Sequence, residues 1–451
     1  MRFSRILLLV VLLFAILSLP LLAQDDVDVL DPATFGLQED KPFDGVELEF
    51  LICCNTAPQF ASLAAKTNEE FTEMTGISVT WGDLPFGSFQ EQLYLEATNP
   101  NTNYDLVAWV DAWGTNIYDF LYPLNDFIDE AGVDFSDYSP AYQSASSGDS
   151  DTIYGLPFRG HPQMLFYRAD VFEELGIDPP QTWQDVSVAS QAIMDSGMDI
   201  SPIAMYYGIN VDQNLFNWYS HLWGAGTDIF DENFEPIFNN ELGVQATEQY
   251  LSYLRNGYTA EASVAWNEQE ANQEMVQGRA AMFVGWWWMA SRVTNSEVIE
   301  VAEGSAFAPA PGWADGDQSS YGYLWPVGVL ENSSDRDAAL EYLQWLTHPI
   351  TERRVVLDAE DPAFDTNVAV RLSVLADEEV NEVHDGLQGV ASDILADART
   401  IPLIAEYTEV IPILAEAINE LATDPSADIQ SVLDLAADDV RFIMESAGYY
   451  D

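Results

Sequence analysis

Lysine is nearly absent from this chain: Lys41 and Lys66 are the only two in 451 residues. Arginine adds little, since Lys and Arg together number 15 against 75 Asp and Glu, a formal net charge of -60. Phosphate backbones and anionic lipid surfaces need clustered Lys and Arg to neutralise them, so nucleic acid and charged membranes are excluded as main partners. With lysine only at positions 41 and 66 there is no G-x-x-x-x-G-K-S/T phosphate loop. The four histidines, His161, His221, His348 and His384, never stand four apart, which removes a helical zinc pair.

Other catalytic signatures are missing too. No G-x-S-x-G elbow occurs, Gly224-Ala225-Gly226 lacks the third glycine of a dinucleotide fingerprint, and Asp149 and Asp151 complete no calcium loop. No cofactor and no metal are expected. A glycosidase pair of carboxylates stays open, because it is defined by separation in space.

Cysteine is limited to the adjacent Cys53 and Cys54. One long-range disulfide is therefore excluded, leaving two small residues at a strand end, a vicinal disulfide, or pairing with another chain.

What is present is a large apolar inventory. Hydrophobic residues make up 48% and aromatics 12%, with 13 Trp, 20 Tyr and 23 Phe, enough to exclude global disorder. The length suits up to about three domains at roughly 150 residues each. Acids are spread along the whole chain, a pattern that keeps a surface soluble when salt screens it, and we read it as adaptation to a salty habitat or as lineage composition. Residues 1–23 join Arg2 and Arg5 to an apolar run from Ile6 to Leu17 and end at Ala23, the pattern of a cleaved export signal. No later stretch resembles a membrane span. Residues 24–43 are acidic and poor in apolar side chains, so a flexible lead is expected.

From there short β-type runs alternate with helical stripes. Val46 to Ile52, Ile77 to Trp81 and Asp105 to Val110 read as strands, with helices over Phe60 to Gly76 and from a Ser88/Glu91 capping box to Ala97. This is βαβαβ order and argues for a parallel α/β sheet. Asp170 with Glu173 and then Thr182 start two helices, Leu242 to Leu254 forms another, and Ala280 to Val284 and Leu324 to Leu330 read as strands. A helix from about Asp335 to Thr347 follows, and everything after Val370 reads as helical.

Aromatic residues gather at strand ends: Trp109-Val110-Asp111-Ala112-Trp113, Trp223-Gly224, Gly285-Trp286-Trp287-Trp288 and Tyr321-Gly322-Tyr323-Leu324-Trp325. In open α/β sheets ligands bind beyond the carboxyl ends of strands, and indole faces suit the C–H faces of sugar rings. Burial in the core is the alternative for each of them.

Three segments then stand out together. Tyr154 to Phe158 with Leu165 to Trp183, Met275 to Met282, and Asp337 to Leu346 resemble, in order, the signature stretches of the extracellular solute-binding proteins of sugar ABC transporters, the maltose-binding-like group. The resemblance covers about residue 46 to the end.

It implies an α/β, two-lobed periplasmic-binding-protein fold with a ligand cleft between lobes joined by a multi-strand hinge. Crossings are expected near Phe158, Ala308 and Phe364, making lobe 1 residues 44–158 with 309–362 and lobe 2 residues 159–308 with 363–451. It also implies a non-catalytic, exported, monomeric protein, periplasmic or at the cell surface, that hands a carbohydrate to transmembrane permease subunits. By motif position the ligand residues are Trp109, Asp111, Trp287 and Trp325, with Arg159 and His161 in a variable loop that often contacts ligand; the strand-end aromatics add Trp113 and Trp223, and the resemblance adds Arg371. The last is the remnant of a P-x-R segment, and Cys53-Cys54 is foreign to the family pattern at a position facing the cleft. A peptide, polyamine or other cationic solute in the same fold, and a secreted glycoside hydrolase, are the alternatives.

Overall fold

The computed structural model describes residues 27–54, 60–148, 150–209, 212–313, 320–358, 369–384 and 386–450. The export signal, the start of the acidic lead, Asp149 and the crossing expected near Phe364 lie outside the described residues.

Seven strands form one sheet path: β1 (Glu47–Cys53), β2 (Ser78–Leu84), β3 (Leu106–Ala108), β4 (Leu156–Arg168), β5 (Met282–Trp286), β6 (Ser305–Pro309) and β7 (Gly322–Val329). Their order is β2-β1-β3-β7-β4-β5, with β6 paired to β4. β1 is parallel to both β2 and β3, as the βαβαβ reading requires, and it is buried from Phe50 onward because helices cover both faces of a parallel sheet. The remaining pairs are antiparallel.

Local chemistry explains most boundaries. The first helical stretch runs through Ala61–Lys66, a π turn at Thr67–Phe71 and Thr72–Thr75, and stops where Gly76 takes φ 78, open to a residue without Cβ. Thr182 and Asp185 form a reciprocal capping box at the start of Trp183–Ser196. The expected Ser88/Glu91 box does not form. The helix Phe86–Thr98 begins directly after Pro85, whose extended backbone sets the start two residues before Ser88, and the Ser88 hydroxyl donates to the Pro85 carbonyl at 3.2 Å. Asp170 is not the N-cap of Ala169–Leu175: that position is Arg168, whose guanidinium the Asp170 carboxylate chelates.

Within the acidic lead, two side chains pack against the body of the protein. Phe35 and Leu37 are 1% and 5% exposed, and Gln344 Nε2 donates to the Phe35 carbonyl at 2.8 Å. Two buried apolar side chains and a hydrogen bond to the helix Arg336–Leu346 outweigh the charge of the segment.

β4 is not legible as a strand from local sequence, and it organises the molecule. Its first half, Leu156 to Pro162, pairs with β7, while Gln163 to Tyr167 pairs with β5 and Met164 to Arg168 with β6. One continuous strand therefore serves both halves of the sheet. The prolines that argue against a strand sit where the ladder is already irregular, Pro157 at a register shift and Pro162 at the handover between partners.

Candidate ligand cleft

The handover in β4 places a cavity of about 340 Å³ beside the sheet. Odd-numbered residues of β4 and β7 share the face that lines it. Arg159 lies directly opposite Trp325, and His161 opposite Tyr323. The Arg159 guanidinium stands 6.0 Å from the Trp325 ring centre, and the His161 and Tyr323 rings stack at 6.1 Å. These cross-strand pairs fix four side chains in a grid without any flexible loop.

The facing wall comes from elsewhere in the chain. Trp286 ends β5, Trp288 lies in the turn Trp287–Met289, Phe216 comes from the helix Asn214–Gly224, and Glu268 opens the helix Glu268–Val276. Trp286 Nε1 donates to Glu268 Oε2 at 2.7 Å, and Arg292 covers the Trp288 ring at 5.3 Å while donating to Gln269 Oε1 at 2.7 Å. A second chamber of about 180 Å³ shares Phe216 and Tyr323 with the first and adds Trp113, Tyr219 and Tyr321.

Burial tunes the charges here. It raises Glu268 to about 7, against the stabilising indole N–H of Trp286. It lowers Arg159 to about 10, which leaves the guanidinium charged at neutral pH. Burial, reinforced by the Arg159 charge, holds His161 well below its ordinary value, so the ring is neutral, and its buried Nδ1 has no protein partner. The lining thus offers flat apolar faces, two guanidinium groups, a carboxyl, a neutral imidazole and amides, a set suited to holding a polyhydroxylated solute. Among the described residues no group of three His, Cys, Asp or Glu could hold a metal ion.

A model of the family described as bacterial extracellular solute-binding protein matches residues 55–350. The chain belongs to this family.

Its relatives agree with the architecture. A probable amino-acid ABC transporter periplasmic-binding protein of Sinorhizobium fredii is 24% identical over 91% of this chain and 92% of its own. The mannitol-binding protein of Pseudomonas aeruginosa is 25% identical over 60% of this chain and 62% of its own. Among solved structures, maltose-bound MalE3 of T. maritima has TM-score 0.76 at 19% identity, covering 88% of this chain and 100% of the other. An ABC transporter solute-binding protein of Agrobacterium vitis with bound D-mannitol has TM-score 0.74 at 19% identity, covering 90% and 100%. The two-lobed binding-protein fold follows, and the family is one of solute capture, not of catalysis. Among the described residues no helix is long and apolar enough to cross a membrane.

In this solute-binding protein the nine residues singled out from sequence fall in different places. Arg159, His161 and Trp325 line the first chamber, and Trp113 the second. Asp111 is one bond behind the second chamber, accepting from the Tyr321 hydroxyl at 3.1 Å. Trp223 stands behind Tyr219, stacked on it at 5.5 Å and donating to Asp228 at 3.0 Å. Trp109 and Trp287 are fully buried and line neither chamber; the Trp109 ring packs against the backbone at Gly155 and Gly328. Arg371 also lines neither, its guanidinium donating to the Thr347 carbonyl at 3.0 and 2.8 Å.

Sequence reasoning missed Gln213, Phe216, Glu268 and Arg292, and it chose Trp287 where its two neighbours face the cavity. The register supplies the missing signal: Trp286 pairs with Gln163, which shares the β4 face of Arg159 and His161.

Proposed function

We propose that this protein captures a sugar or sugar alcohol between its lobes and delivers it to the permease of an ABC transporter. The observation that carries this reading is the cavity itself, in which Trp286, Trp288, Tyr323 and Trp325 surround Arg159, His161 and Glu268. Ring C–H faces rest on the aromatics, hydroxyls meet the imidazole, amide and charged groups, and closure removes both from water. The bound sugars of the T. maritima and A. vitis structures support the same class. The expected ligand contacts are Arg159, His161, Trp286, Trp288 and Trp325, with Trp113 reached by a longer ligand. Export through residues 1–23, action as a monomer and a salt-adapted acidic surface belong to the same proposal.

The name of the S. fredii relative, together with Glu268 beside two arginines, supports a second reading in which the solute carries an amino group. Titrating tryptophan fluorescence of the protein with maltose, mannitol, amino acids and a polyamine, at low and molar salt, separates the two. A saturable change with a sugar alone is the expected result, and a response confined to amino compounds overturns it.

The tryptophans sharpen the test. Trp288→Ala is expected to weaken sugar binding roughly 5- to 150-fold, about 1–3 kcal/mol, with little change in melting temperature. Trp287→Ala is expected to do the reverse, leaving a core cavity that costs about 3–5 kcal/mol of stability. Calorimetric titration and thermal melting of both variants check the contrast.

A further inference from the structure

The sulfurs of Cys53 and Cys54 are bonded to one another, and Cys54 lines the ligand chamber with Arg159, Trp325 and, from the facing wall, Trp288 and Arg292. Resting on the solute-binding reading, we propose that this vicinal disulfide is a ligand-contacting surface of the cleft, holding the end of β1 in the shape against which the bound solute closes.

Three observations lead there. The first is placement. Cys53 is the last residue of β1, buried and paired with Leu84 of β2, so the bond sits at the carboxyl end of a central parallel strand, where such sheets receive ligands. The second is conformation. Cys54 takes φ 71, a left-handed backbone that residues with a Cβ rarely adopt, while its N–H donates to the Leu84 carbonyl at 2.9 Å. The sheet ladder from one side and the covalent ring from the other hold Cys54 in that backbone; two free thiols lose the ring. The third is the small loop that the bond closes. Cross-linking neighbours removes almost no freedom from the unfolded chain, so the disulfide does little for global stability and its effect is local. What it presents locally is a polarisable sulfur face with no S–H donor, a complement to C–H groups in the way a thioether is.

The test compares the oxidised protein with protein treated with a water-soluble phosphine. In that step the phosphine attacks one sulfur, the S–S bond breaks, water supplies the oxygen of the phosphine oxide and the protons, and two thiols result. Maleimide labelling after denaturation counts no thiols before reduction and two after; two before reduction overturns the proposal. Maltose, mannitol and the amino acids are then titrated against both forms. The expected result is at least a tenfold weaker Kd after reduction, with melting temperature shifted by no more than a few degrees. Equal affinity of both forms overturns the inference while leaving solute binding intact.

Silence of every solute in both forms overturns the proposed function instead, and a ligand-free measurement then decides. Bimane attached to Cys54 in Cys53→Ser, or in Cys53→Val should the first fail to fold, is expected to be quenched by the indoles of the chamber and to brighten when Trp288→Phe or Trp325→Phe is added. Unquenched bimane places Cys54 outside the chamber and overturns the proposal.

Discussion

Between pH 5 and pH 9 the protein is expected to lose stability to urea, and Asp111→Asn to lose markedly less. The Asp111 carboxyl is fully buried; one oxygen accepts from the Ala112 N–H at 2.7 Å and the Tyr321 hydroxyl at 3.1 Å, and the other has no partner. Burial raises its folded value to about 8, against about 3.9 in an unfolded chain. The raised value sets the sign. Below about pH 4 both states hold the proton and the favourable contribution is complete; from there to about pH 8 only the unfolded chain releases it, so stability falls with rising pH, and above that the curve is flat. At about 1.4 kcal/mol per pH unit, the loss is on the order of 4 kcal/mol between pH 5 and pH 8. Glu268 and Glu352, each raised to about 7 by burial, act in the same direction. His221 and His348, lowered by burial to about 3 and about 4, act in the opposite direction and gain importance as pH falls below about 6.5. Asn cannot ionise, so the variant isolates the Asp111 share. Superimposable pH profiles for the two chains would show that Asp111 titrates normally.

Replacing Arg371 by Met is expected to cost about 3–5 kcal/mol of stability and to leave solute affinity unchanged. The guanidinium is buried, donates twice to the Thr347 carbonyl, reaches Asp137 Oδ2 at 3.3 Å and lies 4.5 Å from the Tyr138 ring centre. Asp137 in turn accepts from the Ser373 N–H at 2.8 Å and its hydroxyl at 2.7 Å. Arg371 thereby ties the chain after residue 369 to the segments around Asp137 and Thr347. Its removal strands a buried carbonyl and weakens the anchoring of a carboxylate, and the raised Glu352 loses the nearby charge that holds it down. Denaturant unfolding and calorimetric titration of the variant give the two readouts. A binding defect in a protein of native stability would return Arg371 to the ligand.

Strands and helices with simple punctuation are legible in the amino-acid sequence. β1 and β2 announce themselves by apolar runs, and Gly76, Gly176, Gly257 and Gly278 all take positive φ at the helix ends they mark. β4 is not legible in that way, because Pro157, Gly160 and Pro162 signal a break when only the local chain is considered, and pairing with three partners overrides them. The cleft shows the same division. Tyr321-Gly322-Tyr323-Leu324-Trp325 carries its own alternation, so Trp325 could be placed on the ligand face. Trp286-Trp287-Trp288 carries none, since three identical residues have no phase; register with β4 places Trp286, and the turn Trp287–Met289 beyond the ladder places Trp288. Phe216 and Glu268 converge on that cavity from helices 50 to 100 residues further along than β4, a meeting that no local pattern records.

The undivided strand β4 also limits how the molecule could be taken apart. A gene fragment ending between Pro162 and Gln163 would leave Leu156 to Pro162 and β3 without β7, and the complementary fragment would carry β7 along bare backbone on both sides. Neither piece is then a self-sufficient unit, and each invites edge-to-edge aggregation. Split-protein reporters made from this scaffold would do better to part at surface turns such as Gly197 or Gly257 and to keep Leu156 through Arg168 on one polypeptide.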